Sequence, residues 1–360
     1  MGKHDQKNLE KGSRSGNTVK TKSKNKKKMK TWQKVLIVLF IIIFVLAFVL
    51  YSYIQSKLNK INYVTLNKEE LEISENVKEG YRNIALFAVD SRNLESYSGS
   101  RSDGIIILSI NEKTKDAKLV SVYRDSYVQV DGHGYTKINH AYAYGGPTLA
   151  IKTLNKNLDL NISEFVAVNF EAVSDAVNLI GGIEIKVESN EVAQLNKYIK
   201  ETADIMGTTA NSIPKAGTYT LNGVQAVAYG RIRKTAGGDY KRTERMRTVI
   251  MKTFEKAKKM DIGTLNKLVD TVLPEVQTNI TSNEILSLAT QVAYYNIVDN
   301  KGWPYKVTEK TLDASYVIPT TLESNVEQLH KELFDQDDYV VPNSVKEISN
   351  NIAKKTGVTK

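Results

Sequence analysis

The sequence predicts a layered α/β domain, with helices on both faces of a mixed central sheet, preceded by one N-terminal transmembrane helix. Between residues 83 and 259, short apolar runs rich in Val and Ile alternate with helical segments, which is typical of αβα layers. Near the N-terminus, 17 unbroken apolar residues, Val35–Tyr51, continue to Ile54. Twenty helical residues at about 1.5 Å each span roughly 30 Å, the thickness of a hydrocarbon core.

The positive charge of the chain belongs to its N-terminus. Residues 1–34 hold 12 Lys and Arg against Asp5 and Glu10, which accounts for the whole formal charge of +10. Such a tail cannot bury apolar surface, and positive flanks stay in the cytoplasm. The apolar run ends in Tyr-Ser-Tyr-Ile-Gln, without the small residues of a cleavage site. We therefore predict an uncleaved single-pass anchor in the cell membrane, a cytoplasmic N-terminus and an extracellular domain, with no nucleic-acid partner.

The predicted elements follow from local patterns. Apolar runs predict strands, a proline in a first turn or an Asn-Gly pair predicts the start of a helix, and the polar segment 111–116 predicts a hairpin turn. The predicted strands are Asn83–Val89, Gly104–Ile110, Ala117–Tyr123, Glu164–Phe170 and Ile183–Val187. The predicted helices are Pro147–Asn157, Glu171–Ile180, an excursion within 190–212, a short helix from Asn222-Gly223 to Tyr229, and Tyr240–Lys259. The chain to Phe334 is predicted to be mostly helical, and the last 20 residues a loose tail. The predicted organisation is a basic tail (1–34), a transmembrane helix (35–54), an extracellular stalk (55–80), the main domain (81–335) and a C-terminal tail (336–360).

The predicted hairpin brings charged residues together. Asp103 precedes its first strand and Arg124 follows its second, and both lie equally far from the centre of the turn. The two residues are therefore expected opposite one another at one sheet edge. Asp90 reaches the same edge if its strand runs parallel to the second hairpin strand. Two carboxylates beside an arginine suit a hard divalent cation that carries a phosphate.

A second group of charges lies between residues 231 and 245. Arg231 and Arg233 project from one face if this segment is extended, and Asp239 can cap the helix that carries Arg242 and Arg245. Arginine grips phosphate with two parallel hydrogen bonds, and helix N-termini favour anions. Four arginines within 15 residues therefore indicate a polyphosphate site.

Each of these residues has an ordinary structural alternative. Asp90 alone is more often a turn residue, Asp239 serves equally well as a simple cap, and a single arginine is usually a surface ion-pair partner. Arg247 and Lys252 are assigned to a solvated helix face. The four histidines have no spacing suited to a metal site, and the absence of cysteine excludes thiolate chemistry.

Taken together, these segments resemble the LytR-CpsA-Psr family of cell-wall enzymes from about Asn83 to Lys259. The resemblance is carried by Asp90-Ser-Arg92, Arg101-Ser-Asp103, Arg124-Asp125, Lys137-Ile-Asn139, Ala141–Gly146, Gly181–Glu184, Leu221–Gly223, Tyr229–Arg233, Gly237–Asp239, Arg242 and Arg245. The chain departs from the family pattern at three positions, where the usual Gly, Pro and Gln are Ala88, Tyr123 and Met246. Met246 removes a polar group that could touch substrate.

The resemblance implies a phosphotransferase that depends on Mg²⁺, with Mn²⁺ as the alternative ion. Such enzymes move a glycopolymer from a polyprenyl-pyrophosphate carrier onto the 6-hydroxyl of N-acetylmuramic acid in peptidoglycan, at the surface of Gram-positive cells. By the same resemblance, Asp90 and Asp103 hold the metal, Asp90 is the candidate base, Arg124, Arg231, Arg233 and Arg242 grip the pyrophosphate, and Asp239 orients them. Substrate contacts are assigned to Arg92, Arg101, Lys137, Asn139 and Arg245.

Two other functions remain open from the sequence. One is a membrane-bound transcriptional regulator whose basic tail binds DNA, although the tail lacks interleaved aromatic residues and a helix-turn-helix pattern. The other is a lipid-phosphate carrier, or an enzyme that only hydrolyses the pyrophosphate. The polymer also stays undetermined among teichoic acid, capsule and other polysaccharides, and the sequence does not locate the apolar cleft that the lipid needs.

Overall fold

The computed structural model of the chain describes residues 45, 51–53, 56, 62–89 and 100–359. The chain divides into two units, Met1–Ser52 and Tyr53–Lys360, and the described residues of the first are helical. Within the described ranges, no helix combines the length and the apolar character needed to cross a membrane. The predicted tail 1–34, nearly all of the predicted span 35–54, and the site residues Asp90 and Arg92 lie outside the described residues.

A seven-stranded mixed sheet forms the centre of the second unit. In order across the sheet, its strands are β1 (Asn62–Tyr63), β10 (Val276–Thr278), β7 (Glu164–Val168), β2 (Tyr81–Val89), β3 (Ser102–Asn111), β4 (Asp116–Val122) and β11 (Asn296–Trp303). Strand β2 is antiparallel to β3 and parallel to β7, so the mixed sheet is as predicted. Three separate antiparallel pairs are β5 (Tyr127–Val130) with β6 (Gly134–Lys137), β8 (Ile183–Val187) with β9 (Gly217–Leu221), and β12 (Val307–Thr311) with β13 (Ser315–Pro319).

Helices cover both faces of the sheet, as an αβα arrangement requires. They are α1 (His140–Leu158), α2 (Phe170–Leu179), α3 (Val192–Ile205), α4 (Gly223–Arg231), α5 (Gly238–Ala257), α6 (Ile262–Val272), α7 (Ser282–Gln291), α8 (Leu322–Phe334) and α9 (Asn343–Thr356). The larger core cluster joins α1, α8 and α9 to the sheet through side chains such as Phe87 and Phe165. A second core cluster joins α2, α3, α4 and α5 to the β8–β9 pair.

Local sequence explains where several helices begin. Asn222 caps α4 with a reciprocal capping box to Gln225, because its side chain accepts the otherwise unpaired amide of the first turn. Helix α1 is interrupted at Gly145 and Gly146, and Pro147 begins its second half, as the proline predicted. The left-handed φ of +61° at Gly146 is a conformation that favours glycine.

Two predictions about the flanks of the domain are wrong. The described part of the predicted stalk, residues 62–80, packs onto the domain instead, because Leu71 is fully buried in the larger core cluster. The predicted C-terminal tail forms α9, whose Val345, Ile348 and Ile352 enter the same core. These three residues have the i, i+3, i+7 spacing of a buried helix face, which was the sequence signal for this helix.

The segment from 260 to 334 is also less helical than predicted. It contributes β10, β11, β12 and β13 in addition to helices α6, α7 and α8. Strand β11 alternates exposed and partly buried residues along an edge position next to β4. Its polar composition, Asn-Ile-Val-Asp-Asn-Lys-Gly-Trp, concealed the strand, because edge strands need only one buried face.

Candidate active site

The hairpin β3–β4 creates the centre of the site. Its register pairs Ile106 with Ser121, which continues to Asp103 opposite Arg124, as predicted. Arg124 Nη1 donates to Asp103 Oδ1 at 2.6 Å. Strand β2 ends at Val89, which pairs with Ser102, and β2 runs parallel to β4 because both are antiparallel to β3. The end of β2 at Val89 therefore lies at this sheet edge, and Asp90, the next residue in the sequence, lies outside the described residues.

Asp103 is the shared counterion of three arginines. Its second carboxylate oxygen lies 3.3 Å from Arg233 Nη2 and 3.7 Å from Arg242 Nη1. Its side chain is only 16% exposed. Burial favours the protonated acid and acts to raise the pKa of Asp103, but the charges of Arg242, Arg124 and Arg233 outweigh burial and hold this pKa below its ordinary value. Asp103 is therefore ionised at neutral pH.

Asp239 is the second carboxylate of the cluster. Its Oδ1 lies 3.1 Å from Arg242 Nε and 3.4 Å from Arg124 Nε. It does not cap α5 as predicted, because the helix begins at Gly238 and the cap position is Gly237, at a left-handed φ of +88°. As the second residue of the helix, Asp239 directs its side chain to Arg242 and Arg124. The role assigned to it, to orient these arginines, stays a prediction, and the two contacts are compatible with it.

Arg242 is the most buried cation of the site, with 2% of its side chain exposed. Besides the two carboxylates, it donates from Nη2 to the main-chain oxygen of Asp103 at 3.1 Å. Burial lowers the pKa of Arg242 to about 10, although Asp239 and Asp103 favour the charged form. The side chain is therefore still protonated at neutral pH, in a place where its charge is poorly screened by water.

Arg231 ends α4 rather than lying on an extended strand, so the premise of the sequence prediction for this pair was wrong. Its guanidinium donates to Thr202 Oγ1 at 2.8 Å and lies over the rings of Phe170 and Tyr198, at 5.7 and 5.6 Å from their centroids. Arg231 and Arg233 nevertheless line the same polar pocket. Sequence reasoning missed the residues that support Arg231, because they come from separate helices.

The remaining predicted substrate contacts lie beside the cluster. Lys137 Nζ is 3.0 Å from Asp125 Oδ1, and Asp125 Oδ2 is 3.7 Å from Arg124 Nε. Asn139 is buried, and its main-chain amide donates to the Arg124 carbonyl at 3.2 Å. Arg101 is exposed just before β3. Asp125, which is part of the resemblance but was given no role from the sequence, thus links Lys137 to Arg124.

Two arginines of α5 are buried away from this pocket. Arg245 binds Glu191 Oε1 at 2.7 Å, the Ile232 carbonyl at 3.1 Å and Thr235 Oγ1 at 2.8 Å. These contacts hold the segment between α4 and α5 and do not favour the substrate contact assigned to Arg245. Arg247 was predicted on a solvated face, which is wrong: it is 7% exposed and bonds to Asn300 Oδ1 and the Lys301 carbonyl.

An apolar cavity of about 210 Å³ lies between the sheet and helices α2, α4 and α5. Its walls are almost wholly aliphatic or aromatic and include Leu86, Val166, Val173, Val227 and Ile250. A smaller polar pocket of about 100 Å³ adjoins it, lined by Asp103, Arg231, Arg233 and Arg242. Phe170, Gly230, Arg231 and Met246 line both spaces, so the apolar cavity and the charged cluster meet at a common boundary.

Met246 occupies this boundary. A Cβ atom built on Gly104 would lie 2.6 Å from Met246 Cε, and one built on Gly230 would lie 3.4 Å from Met246 Cγ. The two glycines therefore make room for the methionine side chain between β3 and α4. The boundary is therefore apolar at Met246. This suits a ligand whose charged group lies in the polar pocket and whose hydrocarbon part lies in the cavity.

A metal ion at the arginine cluster would have few ligands from the protein itself. Among the described residues, no group of three or more His, Cys, Asp or Glu side chains is arranged to hold a metal. Magnesium in phosphate sites is commonly held by one or two carboxylates, with water and phosphate oxygens completing its shell. The ionised Asp103 matches that requirement as a single protein ligand, and Asp90 lies outside the described residues.

These features define a site that joins an arginine cluster suited to an anion with an adjoining apolar cavity, at the edge of an αβα sheet. The chain belongs to the LytR_cpsA_psr family, whose family model matches residues 48–335.

Relatives within the family are similar over part of their length. The polyisoprenyl-teichoic acid–peptidoglycan teichoic acid transferase TagT of Bacillus subtilis (strain 168) is 35% identical over 208 residues, which cover 57% of this chain and 62% of TagT. The transferase TagU of Enterococcus faecalis (strain ATCC 700802 / V583) is 28% identical over 242 residues, covering 66% of this chain and 74% of TagU. The match with TagT thus spans less than two thirds of that protein.

Solved structures show the same fold. The family protein YwtF (TagT) with bound octaprenyl pyrophosphate lipid superposes with a TM-score of 0.55 at 26% identity, covering 78% of this chain and 100% of that chain.

Proposed function

We propose that this protein is a phosphotransferase that moves a glycopolymer from a polyprenyl-pyrophosphate carrier onto peptidoglycan. The single observation that carries the proposal is the shared boundary between the apolar cavity and the arginine cluster. A polyprenyl pyrophosphate has the same two parts, a hydrocarbon chain joined to a compact polyanion. The names of TagT and TagU and the lipid bound to YwtF support the same activity.

The arginines supply the electrostatic part of the reaction. In the proposed complex, Arg231, Arg233 and Arg242 bind pyrophosphate oxygens, and Arg124 closes the cluster from the side of the hairpin. Phosphoryl transfer needs mainly positioning and charge neutralisation, because negative charge is spread over the oxygens of the transition state. Asp103 and Asp239 keep these guanidinium groups close together before the substrate arrives, which limits the reorganisation needed on binding.

The proposed transfer breaks one bond and forms one. The acceptor hydroxyl oxygen attacks the phosphorus that carries the polymer, the bond from this phosphorus to the bridging oxygen breaks, and the lipid monophosphate leaves. The hydroxyl proton passes to a base, for which Asp90 is the candidate from sequence. A magnesium ion held by Asp103 and Asp90 would neutralise phosphate charge when bound. The apolar cavity keeps the departing lipid out of water throughout.

Teichoic acid is the polymer we propose, because the relatives are named for it. We also propose that residues 35–54 anchor the chain in the cell membrane with the domain outside, on the strength of the apolar run and the lysine-rich flank. Protease digestion of intact cells tests the topology. An outside domain is degraded, whereas protection of residues after 62 would contradict it.

A transfer assay tests the proposed activity. The full-length chain in detergent receives a polyprenyl-pyrophosphate-linked oligosaccharide and peptidoglycan oligomers, with magnesium or with a chelator. We expect metal-dependent transfer that falls at least a hundredfold in both variants. Asp103→Ala removes the carboxylate that positions three arginines and would hold the metal, and Arg231→Ala removes a cation that neutralises phosphate charge. Lys197→Ala, which removes an exposed cation from α3, is the matched control and should keep full activity.

The products separate the alternatives. Release of lipid monophosphate without a glycan on the acceptor would make the protein a hydrolase. Binding of the lipid without any release would make it a carrier, and either result would refute the transferase proposal.

A further inference from the structure

An aromatic surface lies beside the arginine cluster and has no part in the chemistry proposed so far. Tyr144 on α1 is 50% exposed, although it is a large aromatic side chain. The ring of His133, from the turn between β5 and β6, stacks on it with centroids 4.2 Å apart and planes 21° apart. His140, one helical turn earlier, lies 5.7 Å from the Tyr144 ring. We call Tyr144, His133 and His140 the aromatic platform.

The platform is held in place from two elements. His140 Nδ1 shares a hydrogen bond with Thr136 Oγ1 of β6 at 2.9 Å. The α1 helix is interrupted directly after Tyr144, at Gly145 and Gly146. An exposed ring that is stacked on one side and fixed by its backbone loses little conformational freedom when a ligand binds its other side.

The platform is close to the proposed reaction centre. Asn139, the residue before α1, donates its amide to the Arg124 carbonyl at 3.2 Å. Five residues at about 1.5 Å per residue place Tyr144 roughly 8 Å farther along the helix. The Lys137–Asp125 ion pair, at 3.0 Å, adjoins Arg124, whose Nε lies 3.7 Å from Asp125 Oδ2, and it offers a charged donor and acceptors for hydroxyl groups.

We propose that the aromatic platform, with Lys137 and Asp125, binds a sugar ring of the acceptor glycan. This inference rests on the proposed transferase function. The C–H face of a pyranose packs on an aromatic ring while its hydroxyl and amide groups bond to charged side chains at the ring edge. Tyrosine suits this use because it gives a large, rigid contact surface at low entropic cost.

The position of the platform favours the acceptor over the lipid-linked polymer. The apolar cavity lies on the sheet face covered by α2, α4 and α5, whereas α1 packs on the opposite face. In phosphoryl transfer the attacking and leaving oxygens lie roughly in line. A lipid phosphate that leaves toward the cavity therefore requires the acceptor hydroxyl to approach from the side of α1.

Initial-rate kinetics of the full-length chain test the proposal, with Tyr144→Ala, Tyr144→Phe and Tyr294→Ala compared with the wild type. Tyr294 is 69% exposed outside the platform and is the matched control. We expect Tyr144→Ala to raise the KM for peptidoglycan oligomers about three- to tenfold, the loss of one aromatic contact. The KM for the lipid-linked donor should stay within about twofold. Tyr144→Phe keeps the aromatic ring and should restore the acceptor KM to near the wild-type value, and the control Tyr294→Ala should match the wild type.

A binding measurement keeps the proposal separate from the transfer reaction. Peptidoglycan oligomers are titrated into the same proteins without donor, followed by calorimetry. Weaker binding by Tyr144→Ala supports the platform even if no transfer occurs, in which case the proposed function alone fails. Equal acceptor binding and equal acceptor KM in Tyr144→Ala would overturn the platform, and so would a rise confined to the donor KM, which would assign the surface to the polymer.

Discussion

The interaction of Asp103 with three arginines gives the sharpest prediction for stability. Asp103→Asn keeps the size of the side chain but removes the charge that faces Arg124, Arg233 and Arg242. Breaking a buried ion pair from one side costs about 3–5 kcal/mol. Asp239 still neutralises two of the arginines, and Asp103 is 16% exposed, so we expect a loss of about 2 kcal/mol.

Thermal unfolding at pH 7 measures this loss. A change of 1 kcal/mol shifts Tm by roughly 2–4 °C in a domain of this size, which gives a Tm roughly 4–8 °C lower for Asp103→Asn. Inorganic pyrophosphate should raise the Tm of the variant more than that of the wild type. The reason is that the anion supplies the negative charge that the substitution removes, and a ligand that binds only the folded state stabilises it.

The pH dependence has a definite sign. The pKa of Asp103 in the folded protein lies below its ordinary value of 3.8. The stability that its charge contributes is therefore fully present above pH 3.8 and is lost as the pH falls through the lower, folded pKa. The difference in Tm between wild type and Asp103→Asn should be constant from pH 7 to pH 5 and should shrink only below pH 3.8.

A matched control separates this cluster from surface charge. Asp337→Asn removes a carboxylate that is 78% exposed and pairs with Lys331, and exposed pairs contribute little. Its Tm should stay within about 1 °C of the wild type. The reasoning is refuted if Asp103→Asn also stays within 1 °C, or if pyrophosphate stabilises both proteins equally.

Three further predictions concern buried groups. The unfolding free energy should fall between pH 7 and pH 5, because burial lowers the pKa of His330 in the folded protein and the unfolded state takes up the proton first. His330→Phe should remove part of this fall. Urea unfolding at several pH values would contradict the prediction if the variant and the wild type lose the same free energy between pH 7 and pH 5. Arg245→Met should cost about 3–5 kcal/mol in urea unfolding, because it removes the cation that neutralises the buried Glu191. Weaker pyrophosphate binding at unchanged stability would instead support direct substrate contact. A chain that ends at Pro342 loses α9 and its three buried aliphatic residues, each of which contributes about 1.5–3 kcal/mol. It should show no cooperative thermal transition by circular dichroism. A transition like that of the full chain would show that α9 is dispensable.

Local sequence patterns predicted the part of the site that depends on one hairpin. Asp103 and Arg124 meet because a short polar turn fixes the register of β3 and β4, and both lie close to that turn in sequence. The layered fold followed from the alternation of strand and helix patterns. The contact of Arg242 with Asp103 spans 139 residues, and no local pattern contains it.

The apolar cavity could not be predicted from the sequence for a related reason. Leu86, Val166, Val227 and Ile250 line it from four elements, and each looks like an ordinary core residue in its own segment. Burial depends on which elements pack together. For the same reason, the sequence did not predict that Arg247 is buried or that the C-terminal segment packs onto the core. The spacing of Val345, Ile348 and Ile352 in α9 indicates a buried helix face, but the polar and charged residues between them favoured the prediction of a tail.

Lipid binding by a cavity-filling variant tests the central claim most directly. Val227→Phe enlarges a side chain that lines the apolar cavity, and the affinities of the full-length chain for a polyprenyl pyrophosphate and for inorganic pyrophosphate are measured side by side. If the cavity holds the lipid chain and the arginines hold the phosphates, affinity for the lipid falls at least tenfold while affinity for inorganic pyrophosphate is unchanged. Unchanged affinity for the lipid, or an equal loss for both ligands, would contradict the account.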